Sequence, residues 1–235
     1  MISSFQYGVC KNTLKLCFSL SLREINEGSN ITLGLKIEMN ESNTLTYYDL
    51  NAKTFTEGTV NVDFSYVQNK FMNKLDAGAF ILDFGCGSGR DTKCFLENGY
   101  IVDAIDGSKE LCRLASSYTG IEVKHMLFQE LSECEKYDAV WACSSILHLP
   151  YSELVDVMKK ITEALRYDGL FYTSFKYGTF EGVRNGRYFI DMTEDSFEKL
   201  LQDAGGLTLE EIWITSDVRP GRGEEKWLNL FLRKK

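Results

Sequence analysis

The sequence predicts a doubly wound α/β fold, with seven strands in a mostly parallel sheet, helices on both faces and an antiparallel last strand. Three observations predict it. From about residue 60 onward, short apolar stretches alternate with helix-periodic ones, the pattern of a parallel sheet covered on both sides. The first apolar stretch runs into "ILDFGCGSGRD" at 81–91, with glycines at 85, 87 and 89, where a strand must turn sharply into a helix. The last two apolar stretches have no helix between them, so the final strand reverses direction.

Each element has its own signal. Residues 14–22, "LKLCFSLSL", and 31–39, "ITLGLKIEM", alternate with period two around the turn formers "REINEGSN", which predicts an N-terminal β-hairpin extension. A lone hairpin is rarely stable. This one is therefore expected to pack on the main domain or to pair two chains as a homodimer. The division is 1–43 for the extension and 44–235 for the main domain. "VDFSYVQNKFMNKL" has helical spacing. "AFILDFG" is a buried strand, "RDTKCFLENG" a helix stopped by Gly99, "YIVDAID" a strand, and "SKELCRLASSY" a helix with Ser108 as N-cap. "IEVKHMLF" and "YDAVWACSSI" are strands, "YSELVDVMKKITEAL" an amphipathic helix and "GLFYTSFK" a strand. "TEDSFEKLLQDAG" is a helix opened by Thr193, and "LTLEEIWITS" and "KWLNLFLR" close the sheet.

Composition narrows the function. A net charge of −8 argues against a DNA duplex as partner, since a phosphate backbone needs a basic face. No apolar run approaches the ~20 residues of a membrane span. The seven cysteines form no C-x-x-C pair and only two histidines accompany them, so no metal site is expected and the thiols read as free, in a reducing, cytoplasmic setting.

In a doubly wound sheet the ligand sits beyond the carboxyl ends of the strands, where strand order reverses. Bare glycines there let the backbone approach it. The spacing here is G-x-G-x-G, with Arg90 where a dinucleotide fingerprint has its third glycine. No Walker lysine follows. Asp106 ends the next strand at the distance expected of an acid that accepts hydrogen bonds from ribose hydroxyls.

With "ILDFGCGSGRD", "VDAIDGS", "YDAVWACSSILHLP" and "ITEALRYDGLFYTSFK" in this order, the chain resembles the class I S-adenosylmethionine-dependent methyltransferases, over roughly residues 45–235. Within them it looks most like small bacterial members of the tellurite and thiopurine type. The resemblance implies a Rossmann-like fold and S-adenosyl-L-methionine as cofactor. It implies that Asp83 and Gly85 meet the cofactor's methionyl end, that Gly87 and Gly89 let the loop pass beneath it, that Asp106 takes the ribose, and that Gly107 is among the cofactor-binding residues. Gln129 is the expected adenine contact, and the segment from Ala142 to Ser145 is expected beside the sulfonium. Tyr47 and Tyr48 match a family position whose helix folds over the cofactor.

His148, just past the fourth strand, is the candidate base, with Tyr48 beside it among the candidate catalytic residues. A base is needed only where the nucleophile carries a proton of high pKa. Two loops should converge on the same edge. One carries Arg184, Arg187 and Tyr188, the other Arg219 and Arg222. Arginine reads carboxylate and phosphate through its planar fork, so the expected acceptor is a small polar or anionic molecule. Two alternatives stay open: a non-catalytic cofactor-binding or assembly module, and a methyltransferase acting on protein or tRNA. The fourth strand ends in "ACSSIL", not an [ND]-P-P-[YFW] box, and Cys143 follows Ala rather than Pro. Both features argue against DNA methylation.

Overall fold

In a computed structural model, residues 41–235 are described. The hairpin strands expected at 14–22 and 31–39 lie outside these residues. The elements run α1 (Glu41–Thr59), α2 (Ser65–Met72), β1 (Phe80–Phe84), α3 (Arg90–Glu97), β2 (Ile101–Asp106), α4 (Lys109–Thr119), β3 (Val123–His125), β4 (Tyr137–Ala142), α5 (Tyr151–Ala164), β5 (Leu165–Lys176), β6 (Glu181–Arg184), β7 (Arg187–Ile190), α6 (Glu194–Ala204), β8 (Leu207–Ser216) and β9 (Lys226–Lys234). Short 3₁₀ turns at Phe128–Glu130 and Ile146–His148 follow β3 and β4.

Seven strands form one sheet in the order β3-β2-β1-β4-β5-β9-β8. The five strands from β3 to β5 are mutually parallel, and β9 runs antiparallel between β5 and β8. The α/β class, the seven strands and the reversed last strand are those the sequence predicts. Order reverses at β1 and β4, so the loops after these two strands open a cleft between them.

Strand alternation divides the core. Leu82, Phe84, Val140 and Phe171 face α5 and α6 and pack with Leu154, Val157, Met158, Ile161, Phe197 and Leu200. Their neighbours Ile81, Trp141, Leu170 and Tyr172 face the opposite side and pack with Val67, Phe71 and Phe95 from α2 and α3. Trp141 is fully buried and stacks on Tyr172 at 4.1 Å. Its indole N–H finds an acceptor in Asp91 at 2.9 Å, as a buried indole requires. Helix α4 begins where Ser108 accepts the Leu111 N–H, and α6 where Thr193 accepts that of Ser196.

Two elements differ from the sequence reading. The stretch carrying Arg184 and Arg187, read as a loop, is a separate hairpin, β6–β7. Its turn is Asn185-Gly186, both at positive φ (51° and 76°), the Asn-Gly pairing that two-residue hairpins favour. Strand β5 begins directly after α5, at Leu165, and its register against β4 shifts between Tyr137 and Ala139.

Candidate active site

One cleft runs along the carboxyl ends of β1, β2, β4 and β5 and is roofed by α1. At one end lie Asp83, Gly85, Gly87, Asp106, Gly107, Leu127, Phe128 and Gln129. The turn after β1 hugs the sheet because Gly85 and Cys86 both donate to the Ile105 carbonyl, at 3.0 and 2.9 Å. Gly85 has φ +86°, and a Cβ there would lie 2.5 Å from Ser145 Cβ. No other residue fits such a position.

Asp106 is buried at the tip of β2. It accepts the Gly87 N–H at 2.9 Å and the Ser108 N–H at 2.8 Å. Burial pushes its carboxyl above the usual range, against these two donors. Each carboxylate oxygen has a second lone pair for a ligand in the cleft. Asp83 is 2 % exposed and accepts the Thr92 hydroxyl at 2.5 Å. Burial, with the neighbouring Asp91, raises its pKa well above a free carboxylate.

The donor set fits an adenosyl cofactor with a methionyl tail. The buried carboxylate of Asp106 lines the cleft along with the apolar side chains Leu127 and Phe128, and a second buried acid, Asp83, lines it beside the glycine turn. Gln129 lines the same cleft, with its amide N–H donating to Glu153 at 2.8 Å.

At the other end of the cleft stand Tyr48, Ser144, Ser145, His148, Lys176, Arg187, Phe189, Asp217, Arg219, Arg222 and Trp227. His148 is held on both sides. One ring nitrogen, Nδ1, lies 2.6 Å from the Tyr188 carbonyl, and the other, Nε2, lies 2.8 Å from the Tyr48 hydroxyl. A carbonyl only accepts, so Nδ1 carries the hydrogen. Burial depresses the imidazole to about 4, overcoming the Tyr188 contact, and the Arg187 charge adds to the depression. The ring is therefore neutral, and the Tyr48 O–H donates to Nε2. Burial likewise raises the Tyr48 phenol, against the pull of Arg187.

Four site expectations take a different place. Gly89 was expected beneath the cofactor; its bare side faces Thr119 Cγ2 at 2.8 Å and Ala115 Cβ at 3.2 Å, so it lets α4 approach. Ala142 is fully buried within β4, and the residues after it, Cys143 to Ser145, reach the cleft. Arg184 is tied to Asp191 and stacks on Phe180 at 4.3 Å, outside the cleft lining. Tyr188 turns its hydroxyl to Glu181 and serves the site through its backbone, its carbonyl holding His148 and its N–H bonded to Thr44.

Sequence reasoning also missed residues. Asp49 of α1 accepts the Ser108 hydroxyl at 2.6 Å and the Glu110 N–H at 3.3 Å, pinning the roof to the start of α4. Phe55 covers the glycine loop, its ring 3.1 Å from where a Gly87 Cβ would be. The one signal in reach was Asn185-Gly186, which marks the hairpin that carries Arg187.

Comparison with known proteins agrees with this geometry. Residues 81–169 match the methyltransferase domain family. N-terminal Xaa-Pro-Lys N-methyltransferase 1 of Xenopus tropicalis is 35% identical over 99 residues, which span 39% of this chain and 44% of that protein. The chain thus spans less than half the length of that curated relative. Among solved structures, the 1,6-didemethyltoxoflavin-N1-methyltransferase of Burkholderia thailandensis, with S-adenosylhomocysteine and its substrate bound, has TM-score 0.65 at 24% identity and covers 81% of this chain and 85% of that one. Magnesium protoporphyrin IX methyltransferase of Synechocystis PCC 6803 has TM-score 0.64 at 17% identity, covering 81% and 97%. At these identities the likeness is one of fold. The chain thus shares the fold of S-adenosylmethionine-dependent methyltransferases, and its residues 81–169, which include the glycine loop, match the methyltransferase domain family.

Proposed function

We propose that this protein transfers a methyl group from S-adenosylmethionine to a small polar or anionic molecule. The observation that carries the reading is the continuity of the cleft. A glycine-and-carboxylate end suited to an adenosyl cofactor opens without a break onto an end lined by Lys176, Arg187, Arg219 and Arg222. When bound, the cofactor supplies a methyl carbon already activated by a positive sulfur, so the protein's task is alignment and exclusion of water.

Asp106 and Gly107 hold the ribose in this reading, Leu127, Phe128 and Gln129 the base, and Asp83 with the glycine loop the methionyl end. Helix α1 roofs both ends, with Leu45 over Gly107 and Tyr48 over His148. The Burkholderia relative's name records methylation of 1,6-didemethyltoxoflavin, which supports a small-molecule acceptor in this reading. The Xenopus relative's name records a protein N-terminus, and that defines the competing outcome. The described cysteines are all free thiols, which favours a reducing, cytoplasmic setting.

The test is incubation of the protein with methyl-labelled S-adenosylmethionine and cell extract fractionated by size. Label in the small-molecule fraction supports the reading. Label in protein or RNA replaces the acceptor class, and no demethylated cofactor in any fraction sinks the enzymatic reading.

A further inference from the structure

Four arginines stand at or beside the cleft, each in an ion pair with a carboxylate. Arg90 is bound by Asp91, Arg184 by Asp191, Arg219 by Asp217, and Arg222 by Glu225. Arg187 is different. No carboxylate among the described residues lies within ion-pair distance of it, and its Nε is buried with no hydrogen-bond partner. Among the described residues its one hydrogen bond is a long one, NH1 to the Tyr48 hydroxyl at 3.3 Å. The guanidinium lies over the Tyr47 ring at 4.5 Å, with Phe189 at 5.1 Å and Tyr48 at 5.6 Å. Aromatic faces attract a cation but do not satisfy its N–H donors. A half-buried charge whose buried donor goes unfilled is costly unless something completes it.

The imidazole next to it does not face the acceptor directly. Both nitrogens of His148 are spent, Nδ1 on the Tyr188 carbonyl and Nε2 on the Tyr48 hydroxyl. With its hydrogen given to His148, Tyr48 turns its remaining lone pairs toward Arg187 and the cleft. A nucleophile that must lose a proton meets only the Tyr48 oxygen here, and passing that proton on to His148 would place a second positive charge beside Arg187.

We infer that the acceptor is methylated as an anion that enters already deprotonated and is seated on Arg187, with His148 a positioning residue that holds Tyr48. This rests on the methyltransferase reading above and names its substrate class: acids such as carboxylates, acidic enols and phenols, and thiols. The acceptor's lone pair forms the new bond to carbon while the carbon–sulfur pair leaves with sulfur. An anion plus a sulfonium gives two uncharged centres, and no proton is left to place.

The test is binding in the presence of S-adenosylhomocysteine, by calorimetry, with benzoate as probe and benzamide and benzylamine as its neutral and cationic counterparts. The wild type should bind benzoate at least about tenfold more tightly than either, the range of a charge-assisted contact. Arg187→Gln should abolish that preference while S-adenosylhomocysteine affinity stays within about twofold. His148→Gln, which can still accept from Tyr48, should keep the preference, and His148→Leu should weaken it. Equal binding of the three probes, no benzoate binding at millimolar concentration, or retention of the preference in Arg187→Gln would overturn the inference. So would loss of S-adenosylhomocysteine affinity in Arg187→Gln, which would assign that arginine to the cofactor. Failure of the wild type to bind S-adenosylhomocysteine at all would instead sink the methyltransferase reading beneath it.

Discussion

The neutral state of His148 has a measurable consequence for stability in acid. Protonating Nε2 turns the Tyr48 hydrogen away and sets two N–H donors, His148 and Arg187, against one phenol oxygen. It also places a second positive charge beside Arg187. The folded-state pKa is depressed to about 4 by burial, from an ordinary 6.5. Between those values the unfolded chain binds the proton and the folded chain does not. Stability is therefore full above the unfolded pKa and is lost as pH falls toward the folded one. At about pH 4.5 the full shift corresponds to about 2.5 kcal/mol, and partial solvent access to the ring lowers this to about 1–2.5 kcal/mol. Asp83 and Asp106, whose pKa values burial raises, act in the opposite sense, but they are common to wild type and variant. Urea unfolding at about pH 7 and pH 4.5 should show the wild type losing more stability than His148→Gln by that margin. Parallel losses in the two proteins would refute the argument, because the ring would then be charged or freely solvated in the fold.

Three further outcomes follow from the cofactor end and the roof. Asp106→Ala removes an acceptor shared by two backbone N–H groups and the proposed ribose; calorimetry with S-adenosylhomocysteine should show about ten- to a hundredfold weaker binding, and unchanged affinity would move the ribose elsewhere. Gly87→Val should abolish cofactor binding, because the position has φ +56° and its Cβ would meet Phe55 at 3.1 Å; normal binding would mean the loop is not the cradle. Asp49→Ala unpins α1 from Ser108 and Glu110; it should weaken S-adenosylhomocysteine and benzoate together by about threefold or more, and a loss confined to one ligand would show that α1 does not roof both ends.

Much of the fold could be read because its signals are local. Ser108 and Thr193 cap the helices they were expected to cap, since an N-cap is decided within four residues. The helix-free link between the last two strands correctly announced an antiparallel strand. Helix α1 gave no such signal from its residues. It covers a cleft rather than a core, so of its residues 44–59 only Thr44 and Ala52 are buried, and the apolar stripe that betrays a packed helix is absent. Only resemblance pointed to it. The β6–β7 hairpin was missed for the opposite reason. Its Asn-Gly turn was visible, but its strands are four residues long and half-buried, too short for alternation to stand out.

The site residues mark a sharper limit. Counting arginines in two loops suggested an anionic acceptor, and each arginine carried equal weight. What decides their value is the carboxylate each one meets, and those partners lie where only the fold can put them. Asp217 comes two residues before Arg219 and was in view, but Asp191 is brought to Arg184 by the return strand of a hairpin that sequence reading left as loop. Lys176 and Arg222 share Glu225, so some positive charge stays there too, but Arg187 alone of these cations meets no carboxylate among the described residues. His148 shows the same limit from the other side. Its place after the fourth strand made it the natural base, yet a base must reach the acceptor, and both ring nitrogens here are engaged, Nε2 by a residue a hundred positions away on the roof of the cleft. A single tyrosine thereby turns a candidate base into a fixed support, and the burden of deprotonation passes to the acceptor's own chemistry.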